Sequence, residues 1–208
     1  MNSLLVRRGL PLLDRARYHD VFDFPVRDYY GRLGFDPQTD SFEKLSGEFI
    51  AAYDARRGEC PLHAAAPATL AAVQAAGLTQ SLLSAYRHET LLEIVGHFGL
   101  TGYFCQLSGL ADIYARSKVA LGRAQLASLG LPPDELVLIG DTVHDLEVAR
   151  ELGVSCVLVA AGHHPAGKLR RHHDQVVPAL SGLSLLPGLE ALRPAGPPGG
   201  DAAPLSPQ

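Results

Sequence analysis

Two carboxylates, Asp141 and Asp145 in the stretch GDTVHD, directly follow the apolar run LVLI at 136–139. A continuous apolar run of that kind reads as a buried parallel strand. Ligands of an open parallel sheet bind at the carboxyl ends of its strands. Gly140 lets the chain turn sharply there, so Asp141 is expected over the sheet edge and Asp145 in the same crevice, on the first helical turn. Hard oxygen ligands in this position suit Mg²⁺; the alternative is an Asp N-cap followed by a solvated Asp. Ser84 ends an earlier strand candidate, LTQSLLS from Leu78 to Ser84. Its hydroxyl, with the backbone N–H groups of the turn that begins at Ala85, can hold a phosphate oxygen, or Ser84 is a plain cap. Lys118 opens the helix candidate SKVALGRAQLASLG, with Ser117 as N-cap. A lysine at a helix start opposes the dipole; it reaches inward to an anionic ligand, or it is an exposed surface lysine.

Other constellations carry less. Gly162 to Lys168 reads GHHPAGK, a GxxxxGK pattern, but Leu169 stands where a metal-binding hydroxyl belongs. His163–His164 and His172–His173 are adjacent pairs, which diverge on a helix and cannot chelate as i, i+4 pairs do, so a solvated surface is expected for them. There is no GxSxG elbow. Cys60, Cys105 and Cys156 form no CxxC, which fits a reducing cytoplasm, and Cys105 and Cys156 are expected in the core.

The elements that must position these groups follow from the pattern. Helices are expected at 26–33, at 42–57 behind the N-cap Ser41, and at 64–76, 89–98, 117–129 and 145–152. Strands are expected at 78–84, 103–107, 136–139, 155–159 and 175–177. Such alternation means an α/β fold: a three-layer, doubly wound parallel sheet with helices on both faces. The N-terminal 1–60 reads as a helical unit, 61–190 as the α/β core, and the Pro/Gly-rich 191–208 as a disordered tail. The chain has 208 residues, 47% hydrophobic and 19% charged, enough for a packed core. A net charge of −4 argues against nucleic acid as the main partner. No stretch is long and apolar enough for a membrane span, and the charged N-terminus does not read as a signal peptide. Oligomeric state cannot be read from these features.

Strand–Ser84, helix-initial Lys118 and strand–GDxxxD, in that order, resemble the second to fourth motifs of the haloacid dehalogenase superfamily. FPVRDYYGRLGF, HFGLTGYF, GLADIYARSKVALGR and LVLIGDTVHDLEVARELGVSCVLV look like its phosphoglycolate phosphatase-like branch. The resemblance implies a Rossmann-like core with a helical cap at 1–60, and Mg²⁺-dependent hydrolysis of a small phosphorylated metabolite. It gives Ser84, Ala85 and Lys118 to the phosphoryl group and Asp141, supported by Asp145, to the metal.

The family's first motif, a strand ending in DxDGT, supplies the attacking aspartate and a general acid. No D-x-D occurs in this sequence, and Asp23 in VFDFP lies inside the cap-like region. By the resemblance the chain starts within the cap, and the missing strand would lie between those ending at Ser84 and Gly140. The chain is therefore expected to be inactive, as a severed phosphatase. The alternative is a non-catalytic phosphoryl-binding or interaction module.

Overall fold

The computed structural model describes residues 1–110 and 118–185. Ser117 and the 191–208 tail, for which an N-cap and disorder were expected, lie outside the described residues. The N-terminal unit has four helices: α1 (Asn2–Arg7), α2 (Arg15–Val21), α3 (Val26–Leu33) and α4 (Phe42–Asp54). Ser41 caps α4 as expected, its Oγ accepting from the Lys44 N–H at 3.2 Å. α1 and α2 carry no strong apolar period, and packing rather than propensity holds them. Leu4 and Leu5 of α1 are buried with Phe22, Tyr29, Tyr30, Leu33, Phe35 and Leu45 in a core drawn entirely from this unit. Arg8 is fixed beneath it by Asp40 at 2.8 Å and Glu48 at 3.0 Å.

The second part runs α5 (Ala66–Ala75), β1 (Ser81–Arg87), α6 (His88–His97), β2 (Gln106–Leu110), α7 (Lys118–Leu129), β3 (Val137–Gly140), α8 (Val143–Leu152), β4 (Ser155–Val159), α9 (Ala166–Leu169) and β5 (Val176–Val177). The α/β class and parallel pairing stand as expected. Along β4, Cys156 and Leu158 pack with Leu146, Ala149 and Leu169 of α8 and α9. Val157 and Val159 turn to the other face, against Val73, Ala76, Val177 and Leu183. Period-two alternation between two covered faces is what a doubly wound layer requires.

Several boundaries differ from expectation. β1 begins three residues late, at Ser81, and its regular pairing with β2 runs only to Leu83 before the register shifts. β2 starts at Gln106 because Thr101–Tyr103 closes as a 3₁₀ turn, and this leaves Cys105 exposed rather than in the core. α8 starts at Val143, two residues early, because Thr142 caps it. Among the described strands the sheet is also divided: β1–β2 form one ladder and β3–β4–β5 another.

Candidate phosphoryl site at the carboxyl ends of β1 and β3

The turn after β3 is built around Asp145. Its Oδ2 accepts from the backbone N–H of Thr142 at 3.0 Å, from that of Asp141 at 3.1 Å and from the Thr142 hydroxyl at 2.7 Å. Thr142 Oγ1 in turn accepts from the Asp145 N–H at 3.2 Å, completing a capping box. Asp145 Oδ1 takes the Lys118 ammonium at 2.5 Å. Burial alone would push the Asp145 carboxyl up, but the Lys118 charge and these bonds hold it below the usual carboxylate range. A Cβ at Gly140 would collide with the Asp145 side chain, so the turn requires glycine there.

The two carboxylates therefore do different things. Asp141 is not the helix cap and Asp145 is not solvated; Thr142 caps, and Asp145 is 6% exposed. Asp145 spends both oxygens on the turn and on Lys118. Asp141 is half-buried, and its Oδ2 accepts from the His163 N–H at 2.7 Å. A Cβ at Gly162 would overlap that same oxygen, so the Gly162–His163 backbone can approach only without a side chain. Lys118 is not an exposed surface lysine: its side chain is 18% exposed, and it joins α7 to the head of α8.

Of the two carboxylates, Asp141 is the one with an oxygen left for a metal, and Mg²⁺ is commonly held by one or two carboxylates with waters. Asp145 has no oxygen left over, Asp141 contributes a single carboxylate, and no group of three or more His, Cys, Asp or Glu that could hold a metal occurs among the described residues.

Ser84 sits where the regular pairing of β1 stops, and its Oγ accepts from the Tyr86 N–H at 3.1 Å. This bond shapes the loosened strand end as a local side-chain turn. Ala85 beside it is exposed.

A further set of residues, not assigned to the site from sequence, converges beside Asp141. The α2–α3 turn of the helical unit docks there. Phe22 stacks on the His163 ring at 4.7 Å between centroids, Phe24 lies against His144 at 5.2 Å, and the Tyr18 hydroxyl bonds His163 Nδ1. Asp23 pairs with Lys168 at 2.8 Å and faces His164 Nε2 at 3.5 Å. The solvated surface expected for the histidines does not hold for His164, which is fully buried. Its Nδ1 must be the acceptor, because the Val143 N–H can only donate to it (3.1 Å). Burial, with Lys168 beside it, pushes the His164 imidazole toward the neutral form. The GxxxxGK pattern, the His163–His164 pair and Asp23 in VFDFP were the sequence signals here. Its lysine is turned away from any phosphate loop role, to Asp23 and the Phe22 carbonyl at 3.2 Å.

Comparison with known proteins agrees with this architecture. Residues 117–183 match the family described as HAD-hydrolase-like. The chain is 30% identical over 109 residues to the Tyrosine-protein kinase PtkA of Mycobacterium tuberculosis, a match that covers 52% of this chain and 38% of PtkA. It is 27% identical over 110 residues to the "Probable phosphatase IndB" of Dickeya dadantii, covering 52% of this chain and 47% of that protein. The chain thus matches less than half the length of these curated relatives. The solved PtkA structure superposes with a TM-score of 0.65 at 27% identity, over 79% of this chain and 76% of that one. A predicted phosphatase from Clostridium acetobutylicum superposes at 0.72 with 18% identity, over 88% and 85%. The chain therefore has the fold of haloacid dehalogenase-like hydrolases, and its residues 117–183 match the HAD-hydrolase-like family.

Proposed function

We propose that this chain carries the phosphoryl-binding part of a phosphomonoesterase site and takes a small phosphorylated metabolite at the carboxyl ends of β1 and β3. The observation that carries the reading is the Lys118–Asp145 pair at 2.5 Å, buried beside Asp141. A lysine so held keeps an ammonium N–H donor at the strand ends, where ligands of parallel sheets bind. Ser84 and the N–H groups around Ala85 supply neutral donors from β1. The phosphatase fold neighbours and the matched family support the same class.

Turnover is not expected from the 208 residues alone. Covalent phosphoryl transfer needs a positioned nucleophile, and in the superfamily this chain resembles that nucleophile is a carboxylate. Asp145 is committed to Lys118 and the turn, and Asp23 is committed to Lys168. The sequence holds no D-x-D to supply another pair. The test is titration calorimetry with phosphoglycolate and with inorganic phosphate, beside phosphate release from an aryl phosphate with Mg²⁺ present. The reading expects phosphoryl binding that falls in Ser84→Ala and Lys118→Met, without turnover. Phosphate release that Asp141→Ala abolishes would mean that a carboxylate of this chain attacks after all. Absence of any phosphoryl binding by the folded chain would overturn the site.

A further inference from the structure

β5 holds only Val176 and Val177, and they pair with Leu158 and Val159. The first half of β4 therefore has no strand beside it on that side among the described residues. A side chain closes the place instead. His173 donates its Nε2–H to the Cys156 carbonyl at 2.8 Å, since a carbonyl only accepts. Arg150 donates an N–H to the His172 carbonyl at 3.2 Å and ties α8 to the same segment. A cavity of about 240 Å³ stays open between them. Leu146 and Ala149 of α8, with Val154 and Cys156 at the start of β4, give it apolar walls. Arg150, His173 and Gln175 stand at its rim.

That rim is positively charged in a chain whose net charge is −4. Residues 168–173 read KLRRHH, and the nearest acid in sequence is Asp174. Lys168 is turned to Asp23. Arg170 and Arg171 are exposed and make no ion pair among the described residues, and neither does Arg150. The acids on either side of Arg150 along α8 are engaged elsewhere, Glu147 with His144 at 3.2 Å and Glu151 with Arg123 at 3.4 Å. Three guanidinium groups thus border an apolar recess with no carboxylate paired to them.

The cavity is smaller than the ~300–1,000 Å³ typical of sites for drug-sized ligands, and it suits a single apolar side chain. Arg170 and Arg171 follow α9 outside that space. One occupant satisfies both features: an extended segment whose apolar residue enters the cavity while acidic neighbours meet the arginines. We infer that the cavity between α8 and the α9–β5 connection docks an acidic peptide segment of a partner protein, anchored by one aliphatic side chain. Arginine is among the residues that dominate binding hot spots around desolvated pockets, and complementary charge sets the rate and specificity of encounter. The inference goes beyond the phosphoryl reading and does not depend on it, since Ser84, Lys118 and Asp141 take no part.

The experiment titrates the full isotope-labelled chain with the capped peptide Glu-Asp-Leu-Asp-Glu and follows the amide signals by NMR. Saturable shifts centred on residues 146–156 and 169–176 are expected. Replacing the peptide's Leu by Ala should weaken binding about tenfold or more, because the buried methyl groups are lost. Arg170→Glu with Arg171→Glu should weaken it about tenfold at low salt and less at high salt, with Tm unchanged because both side chains are exposed. Arg150→Glu should act likewise from the α8 side. Three results would overturn the inference. One is no shift in these segments at millimolar peptide. Another is equal binding of the Ala peptide or of acetate, which means that the arginines take any small anion and the cavity takes nothing. The last is a concentration-dependent change of the same signals without peptide, which means that a second copy occupies the cavity.

Discussion

Replacing Asp145 by Asn removes one charge from a pair held at 2.5 Å and leaves the side chain almost the same size. Lys118, 18% exposed at its side chain, then keeps its ammonium with no anion opposite. Removing one partner of a buried ion pair typically costs about 3–5 kcal/mol. The amide can still accept one bond at the cap, and Lys118 reaches some solvent, so about 3 kcal/mol is expected. For a chain of this size that lowers Tm by roughly 6–12 °C. Lys118→Met should cost less, about 2 kcal/mol, because Asp145 keeps its three other donors. The double variant should cost less than the sum of the two, with a coupling of about 1.5–3 kcal/mol. Urea melts followed by circular dichroism give all four corners of the cycle. An Asn variant as stable as the parent, or a cycle that is additive within error, would refute the claim that this pair holds the head of α8 to α7.

Other outcomes follow from the same contacts. The Asp145 carboxyl lies below its ordinary range in the fold, so its contribution is present above the unfolded value of about 3.9 and is lost as pH falls through the folded one. Tm should therefore drop on acidification below about pH 4, and drop less steeply in Asp145→Asn. Gly162→Ala should destabilise by about 1–3 kcal/mol and shift the Asp141 carboxyl signals in NMR spectra, because the new methyl overlaps Asp141 Oδ2. Lys168→Met should loosen the helical unit with little global cost, within about 1 kcal/mol, because Asp23 is 38% exposed at its side chain. Hydrogen exchange around residues 18–25 should rise in that variant while the α8 amides stay protected. Millimolar Mg²⁺ should raise Tm by less than about 1 °C, since a ligand present near its Kd stabilises by only about 0.4 kcal/mol.

Much of the architecture could be read along the chain. β4 and α3 fall where period and length put them, and the buried strand before GDTVHD was legible because apolar runs bounded by glycine have few other uses. The resemblance in motif order foretold the haloacid dehalogenase-like fold. The individual roles within GDTVHD were not legible. Whether a carboxylate faces outward or folds back on its own turn depends on what stands opposite, and here that is Lys118, 27 positions away in sequence.

The sequence by itself determined the order of elements, the carboxylates and lysine at their ends, and the lack of a D-x-D pair, because these are properties of local pattern. Only the tertiary structure decided how they are used. It set Asp145 on Lys118, buried His164 against Asp23 and Lys168, and laid Phe22 and Tyr18 on the loop beside Asp141. Those pairings join residues up to 145 positions apart, and no local spacing encodes them. They arise because packing brings charges and rings together, and burial makes each group find a partner.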